Sequence, residues 1–378
     1  MKIELRGVEF VNKGAELMLH SIINKLTEEI DDVEFVMEAS GRAPYQKLRT
    51  LGISLTTTWW KRGYNILFFT RYLPQFLLSP FHIVKSKNID IVLDGSGFAF
   101  GDQWGAEKAG KRAANHIDRW KKEGKKVILL PQAFGPFEDR LLLQKMKVIL
   151  DHADMIYARD GMSFDFLKSI GDYSNVKLSP DFTNILTPWF YDPKFNRTVW
   201  VIPNSKMISA TKREDGFLYK SLILKSIQYL QNQEMDVKFL IHEAGGHDEK
   251  LASEINKKNS NPIEMIVELD PIKVKALIGS GYAVISSRFH GLVSALSQGI
   301  PCLATGWSHK YQMLLLDYNY SDNLLKLDIK EDDLNKRLDS ISKNSFNQKA
   351  RVHLNEKAKY QKDLVSKMWE EVISIIKS

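Results

Sequence analysis

The side chains best suited to chemistry are concentrated in one stretch, Ser286–Lys310, which reads SSRFHGLVSALSQGIPCLATGWSHK. Just before it, Tyr282-Ala-Val-Ile285 is an apolar, β-branched run of the kind that forms a buried strand. Within it, Leu292, Val293, Ala295 and Leu296 recur at helical spacing, and Gly299 is placed to stop that helix. Pro301–Thr305 then predicts the following strand. Arg288 and His290 are therefore expected in a strand-to-helix turn, where first-turn N–H groups and a positive dipole end suit an anion. Arg288 adds a planar fork that matches a carboxylate or phosphate. His290 adds a group that can carry a proton near neutral pH. Lys310, just past the next strand, can reach the same space. The plainer alternative makes each of these an ordinary surface side chain; their combination in one βαβ turn is what favours an anion site.

Other strand ends carry further candidates. Asp154–Ala158 predicts a strand that delivers Arg159 and Asp160 to its end. Arg159 is a second anion-binding candidate, with a salt bridge to Asp160 or Asp181 as the structural alternative. Ile89–Leu93 predicts a strand followed by Asp94-Gly-Ser-Gly97, where Gly95 and Ser96 let a ligand or another loop come close to the backbone. Thr198–Ile202 leads to Asn204, and Val237–Ile241 leads to His242-Glu243 and Gly245-Gly246. His242, Glu243 and His247 imitate a metal site without a third ligand at fixed spacing, so no metal is expected. A strand at Ile3–Leu5, a loop and a helix up to about Ile30 open the chain. Their loop glycines do not follow the dinucleotide fingerprint, so NAD binding is not expected. Asn12 and Glu16 in that loop serve either a ligand or the cap of the helix.

The 378 residues are 44% hydrophobic and 26% charged, as in soluble globular proteins, and suffice for two domains. The formal net charge of +7 is spread out, which suits an anionic substrate or a membrane surface as well as nucleic acid. No nucleic-acid motif, HExxH, CxxC or GxSxG accompanies it. Cys302 is the single cysteine, so an internal disulfide is excluded. MKIELRGVEF lacks the apolar core of a signal peptide, and a cytoplasmic location is expected. The most apolar stretch is Tyr64–Val84. Arg71, Pro74, Pro80 and His82 argue against a membrane span. It is expected to be a buried or partly exposed helical pair, or alternatively an interfacial element resting on a membrane.

These elements form two β-α-β series separated by Thr187–Asn196, a stretch rich in proline and aromatics without periodicity. The expected fold class is α/β with two Rossmann-like domains, 1–186 and 187–345. A closing helix over 346–378 would pack through Leu354, Ala358, Tyr360, Leu364, Met368 and Val372.

The run R-F-H-G-L-V-S-A-L-S-Q-G-I-P-C-L followed by Lys310 resembles the signature of the polysaccharide pyruvyl transferase family. Looser similarities are ordered along the chain: Gly7, Asn12, Gly14 and Glu16; the turn Asp94–Gly97; Pro131-Gln-Ala-Phe-Gly-Pro136; and Ser179-Pro-Asp181. The resemblance implies a GT-B-like fold, with the two halves facing across a cleft. It implies transfer of the pyruvyl group of phosphoenolpyruvate to a sugar of a bacterial surface polysaccharide or its lipid-linked precursor. The product would be a cyclic pyruvate ketal, with release of phosphate. The first domain would then be the acceptor side and the second the phosphoenolpyruvate side. On this basis Arg159, Arg288, Lys310 and Ser287 hold the donor, and His290 is the general acid. Asn12, Glu16, Gly95, Ser96, Asn204 and His242 line the acceptor side or cleft, and about residues 40–85 choose the acceptor. Phosphoenolpyruvate enters as a substrate, and no cofactor is expected. The partners would be a sugar acceptor and, peripherally, the inner face of the plasma membrane, with no nucleic acid. The alternatives are a nucleotide-sugar glycosyltransferase on the same fold and a non-catalytic polysaccharide-binding protein.

Overall fold

Short β-branched runs ended by Gly, Pro and Asn become fifteen strands among the described residues, sorted into two sheets. The computed structural model describes residues 1–61, 64–243, 245–306 and 308–378, apart from the side chain of Trp60. The backbone divides into two units: Met1–Phe182 with Val365–Ser378, and Thr183–Leu364.

The first unit holds β1 (Lys2–Arg6), β2 (Glu34–Ala39), β3 (Ser54–Lys61), β4 (Tyr64–Asn65) and β5 (Ile83–Val84). It continues with β6 (Ile91–Asp94), β7 (Phe98–Phe100), β8 (Lys126–Phe134), β9 (Met155–Ala158) and β10 (Val176–Leu178). The sheet order is β10-β9-β8-β6-β1-β2-β3-β4, with β5 on β3 and β7 on β8. Apart from the β3–β4 pair every pairing is parallel. The core order β3-β2-β1-β6-β8-β9 is that of a doubly wound nucleotide-binding sheet, whose direction reverses between β1 and β6. Ile3, Leu93 and Ile128 are fully buried there, as strands covered on both faces must be.

Pro131-Gln-Ala-Phe134 belongs to β8 rather than to a loop after it. Proline cannot donate to a ladder, and the β8–β9 pairing shifts register between Leu129 and Gln132, which accommodates it. The stretch Tyr64–Val84 is not a helical pair. It forms β4, single-turn segments, the four-residue helix Gln75–Leu78, and β5. Pro74 and Pro80 prevent any longer helix. Its aromatic rings face solvent: Phe69 is 77% exposed and Phe76 72%.

The second unit holds β11 (Thr198–Ile202), β12 (Asp236–Ile241), β13 (Glu264–Val267), β14 (Ala283–Ser286) and β15 (Cys302–Ala304). Their order, β13-β12-β11-β14-β15, is all parallel and reverses direction between β11 and β14. Trp200, at the centre of β11, is fully buried and donates its indole N–H to Leu277 O at 2.7 Å. The helix Phe289–Leu296 ends as expected near Gly299, whose φ of +68° is the left-handed stop that favours glycine.

The last helix, Asn344–Lys377, contributes Leu354 and Ala358 to the core of the second unit. Val365, Met368, Trp369 and Val372 are buried in the part assigned to the first. Tyr360 is 58% exposed and lies off the expected stripe. The inward position is Gln361, three residues after Ala358, and its amide donates to Asp317 O at 3.0 Å.

Candidate functional site

In the second unit the polar residues collect where β11 and β14 part. Register pairing sets Ile202 beside Ser286, so both chains leave the sheet together. Ser287 is fully buried, with its hydroxyl 2.7 Å from Tyr219 Oη and 2.6 Å from Thr305 Oγ1. Its carbonyl accepts from Asn204 Nδ2 at 2.9 Å and from Tyr311 Oη at 3.0 Å. Burial pushes the Tyr219 phenol up to about 12, which keeps it protonated and able to donate. Ser287 and Asn204 therefore position the turn: their polar side-chain atoms are hydrogen-bonded inside the protein. Asn204 Oδ1 also accepts from Lys206 N at 3.0 Å, which closes its own turn.

Arg288 is the N-cap of the helix Phe289–Leu296, and its side chain is partly exposed. Its Nε donates to Asp248 Oδ2 at 2.6 Å, and Nη2 contacts the same oxygen. Asp248 is buried, and its other oxygen accepts from Ser205 N at 2.8 Å. One edge of the guanidinium is thus fixed, which orients the rest of the fork at low entropic cost. Asp248 had no signal in the sequence beyond its place in the first turn of a helix, two residues after Gly246.

His290 is the second residue of the helix and half-buried, with its ring edge-on to Phe289 at 5.4 Å between centroids. The Lys310 ammonium lies 5.4 Å from the same Phe289 ring and 5.4 Å from that of Tyr311. Lys310 stands in the first turn of the helix His309–Asp317. An imidazole and an ammonium therefore flank Phe289, and the Arg288 fork precedes it at the helix N-terminus, where the first N–H groups lack intrahelical acceptors. Such a set can bind an anionic substrate and move one proton.

His242, at the end of β12, is buried. Glu243 accepts from Gly245 N at 2.6 Å and His247 N at 3.0 Å, so its carboxylate builds the turn. Among the described residues no group of three or more His, Cys, Asp or Glu is arranged to hold a metal ion.

In the first unit Arg159 stands at the end of β9 and is 4% exposed, with Nη1 at 3.2 Å from Asp181 Oδ2. The salt-bridge alternative is thus present, with Asp181 as partner. Gly97 lies alongside: a Cβ there would sit 3.8 Å from Arg159 Nη1. Asp94 Oδ1 accepts from Ser96 N at 2.9 Å and from Gln132 Nε2 at 3.3 Å. Ser96 Oγ, Gln132 Oε1 and Ser179 Oγ are buried without a hydrogen-bond partner among the described residues. Buried polar atoms in that state call for a water or a ligand. Ser96 thus remains a candidate.

Gly95 does not. A Cβ there would meet Ile22 at 2.8 Å, so its smallness serves packing. Asn12 caps the helix Lys13–Glu29 by accepting from Gly14 N at 3.1 Å, and Glu16 is buried in an ion pair with Lys13. Both residues shape the helix start.

A profile of the polysaccharide pyruvyl transferase family matches residues 12–309. The chain belongs to that family. It is thereby placed among transferases of polysaccharide biosynthesis. Its R-F-H-G run lies within the matched residues, and Lys310 follows them directly. None of the curated proteins matches the chain. Among solved structures, it is similar to a putative UDP-N-acetylglucosamine 2-epimerase from Listeria monocytogenes, at 12% identity and TM-score 0.62 over 99% of this chain and 96% of that one. It is similar to Anabaena HepE in complex with UDP-glucose at 12% identity and TM-score 0.62, over 99% of both chains. Phytolacca americana UGT2 follows at 10% identity and TM-score 0.55, over the whole of both chains. These likenesses are of fold, and the fold is GT-B. No helix among the described residues is long and apolar enough to cross a membrane.

Proposed function

We propose that this pyruvyl transferase family member moves the pyruvyl group of phosphoenolpyruvate onto two hydroxyls of a sugar, forming a cyclic ketal. The observation that carries the reading is that His290 and Lys310 flank Phe289, directly after the Arg288 fork fixed by Asp248, in a chain that the family profile matches over residues 12–309. Arg288 and Lys310 hold the carboxylate and phosphate of the donor. His290 gives a proton to the methylene carbon, which becomes the methyl group, and leaves an oxocarbenium-like centre. One sugar hydroxyl adds to that centre, the C–O bond to phosphate breaks, and the second hydroxyl closes the ring. Of the two hydroxyl protons released, one restores His290 and the other leaves with phosphate. Arg159 is proposed separately as an anion contact of the first unit.

The second reading is a nucleotide-sugar glycosyltransferase, favoured by the HepE likeness, since that protein was solved with UDP-glucose. A thermal melt separates the two. Phosphoenolpyruvate at 100 times its Kd is expected to stabilise the folded protein by about 2.7 kcal/mol, a rise of roughly 5 °C or more. UDP-glucose and other nucleotide sugars are expected to leave the melt unchanged. Stabilisation by a nucleotide sugar and none by phosphoenolpyruvate hands the assignment to the second reading.

The exposed rings of residues 64–81 fit the surface of an anionic bilayer, consistent with a lipid-linked acceptor. Between Tyr64 and Ile89 there is no Asp or Glu, while Arg71, Lys85 and Lys87 are present. The Arg71 guanidinium lies 3.7 Å from the Phe68 ring centroid, an arrangement that places apolar and cationic groups at one surface. The protein is expected to float with vesicles rich in anionic lipid, less so in high salt, and to stay behind with neutral ones. Replacing Phe69 and Phe76 with Ser should abolish flotation. Equal recovery with neutral and anionic vesicles, or in the double variant, contradicts the assignment.

A further inference from the structure

The first unit contains a cavity of about 1040 Å³ that reaches the carboxyl ends of β1 and β2, where it is lined by Arg6 and Glu38. Its origin is topological. In a doubly wound sheet the crossover from β3 to β6 ordinarily lays a helix on the face opposite the helix Lys13–Glu29. Here the described residues 64–90 form no α-helix longer than four residues. That face of β1, β2 and β3 is therefore left open, and it presents Glu4, Arg6, Glu38, Thr56 and Thr58. The opposite wall is one stripe of a helical stretch, Trp104, Lys108, Lys111, Arg112 and Arg119, at helical spacing.

That wall carries a π-helical turn, Gly110–Ala114. Such turns release carbonyls from the regular ladder and recur at functional sites. Arg6 meets the released groups: Nε donates to Arg112 O at 3.0 Å and Nη2 to Lys111 O at 3.1 Å. Its Nη1 holds Glu4 at 2.6 Å. Lys111 is paired with Glu107. Arg119 lies 3.7 Å from Glu123, and Lys108 and Arg112 are the further cations that face the cavity among the described residues. The Lys108 ammonium lies 3.6 Å from the Trp104 ring centroid, and Arg112 is 3.8 Å from Asp94. Burial, then the neighbouring Arg112 and Arg42, lowers the Lys108 pKa to about 8. A partly desolvated cation beside another cation is stabilised by an incoming anion. Trp104 is 38% exposed and offers an edge and face for the C–H surface of a sugar ring.

We infer that this cavity binds an anionic glycan of two or more rings, its phosphate or carboxylate on Lys108 and Arg112 and a ring against Trp104. Ligand sites commonly occupy about 300–1,000 Å³, so the volume suits an oligosaccharide rather than a single small anion. That the glycan is the acceptor rests on the pyruvyl transfer reading; that the cavity binds it does not.

The test is calorimetry without phosphoenolpyruvate, using lactose 1-phosphate, cellobiouronate and neutral lactose as probes. One of the two charged disaccharides is expected to bind saturably, the phosphate arm pointing to a sugar phosphate and the carboxylate arm to a uronic acid. Lactose should bind about tenfold more weakly or worse, as loss of a charge-assisted hydrogen bond predicts. Lys108→Gln/Arg112→Gln should weaken the charged probe by about tenfold or more, and Trp104→Ala should weaken both charged and neutral probes. A thermal melt identifies which variants are folded, and Trp104, at the surface, is the substitution least able to disturb folding. No saturable binding of either charged probe, or unchanged affinity in the folded variants, overturns the inference. Disaccharide binding in a protein that ignores phosphoenolpyruvate would keep the cavity and remove the transfer reading.

Discussion

His290→Gln is expected to lower turnover at saturating phosphoenolpyruvate by about 100-fold or more, the usual scale for losing a general acid, while donor binding persists. Glutamine retains the size and part of the hydrogen bonding but cannot deliver a proton. The donor's charges are met by Arg288 and Lys310, which the substitution leaves in place. If His290 served only to contact phosphate, the pattern would reverse: affinity would fall and turnover at saturation would survive. Calorimetry with phosphoenolpyruvate reads the first quantity and phosphate release the second. A thermal melt guards against a folding defect. Near-normal turnover at saturation removes His290 from the proton transfer.

Arg288 and His290 could be placed from sequence because of how a buried parallel strand is written. Val284 and Ile285 must be apolar on both faces, so the first polar residues after them mark the carboxyl end. The same logic located Arg159 after β9. It could not tell which polar residues at those ends point inward. Ser287 and Asn204 have the composition of ligand contacts, yet both are spent holding the two strand ends together. Asp248 escaped notice because its contact with Arg288 spans 40 positions in sequence. Pairing at that separation is set by the sheet order β12-β11-β14, not by any local pattern.

The stretch Tyr64–Val84 failed for a different reason. A buried or partly exposed helical pair is expected there, with an interfacial element as the alternative, whereas its prolines prevent the helices and the rings remain at the surface. The cavity of the first unit follows from the same segment. A crossover without a long helix leaves a sheet face open, and no motif announces an absent helix.

Arg159→Met is expected to destabilise the first unit by about 1–3 kcal/mol, the scale of losing one hydrogen bond to a buried charged group. Asp181 has a side-chain exposure of 1%, and its Oδ2 is 3.2 Å from the Arg159 guanidinium. Asp181→Leu alone should cost a similar amount by removing that acceptor from the buried guanidinium. The double variant Arg159→Met/Asp181→Leu should recover most of the loss, because an apolar pair of similar volume avoids both desolvation penalties. Urea denaturation measures the three variants, and hydrogen exchange of the β9 amides assigns the change to the first unit. The outcome bears on function as well. Strong coupling means that Arg159 is held ready by Asp181, so an incoming anion must compete with a carboxylate already in place. A single-variant loss below about 1 kcal/mol, the range of exposed ion pairs, would show that Asp181 contributes little and that Arg159 is available to bind a ligand directly.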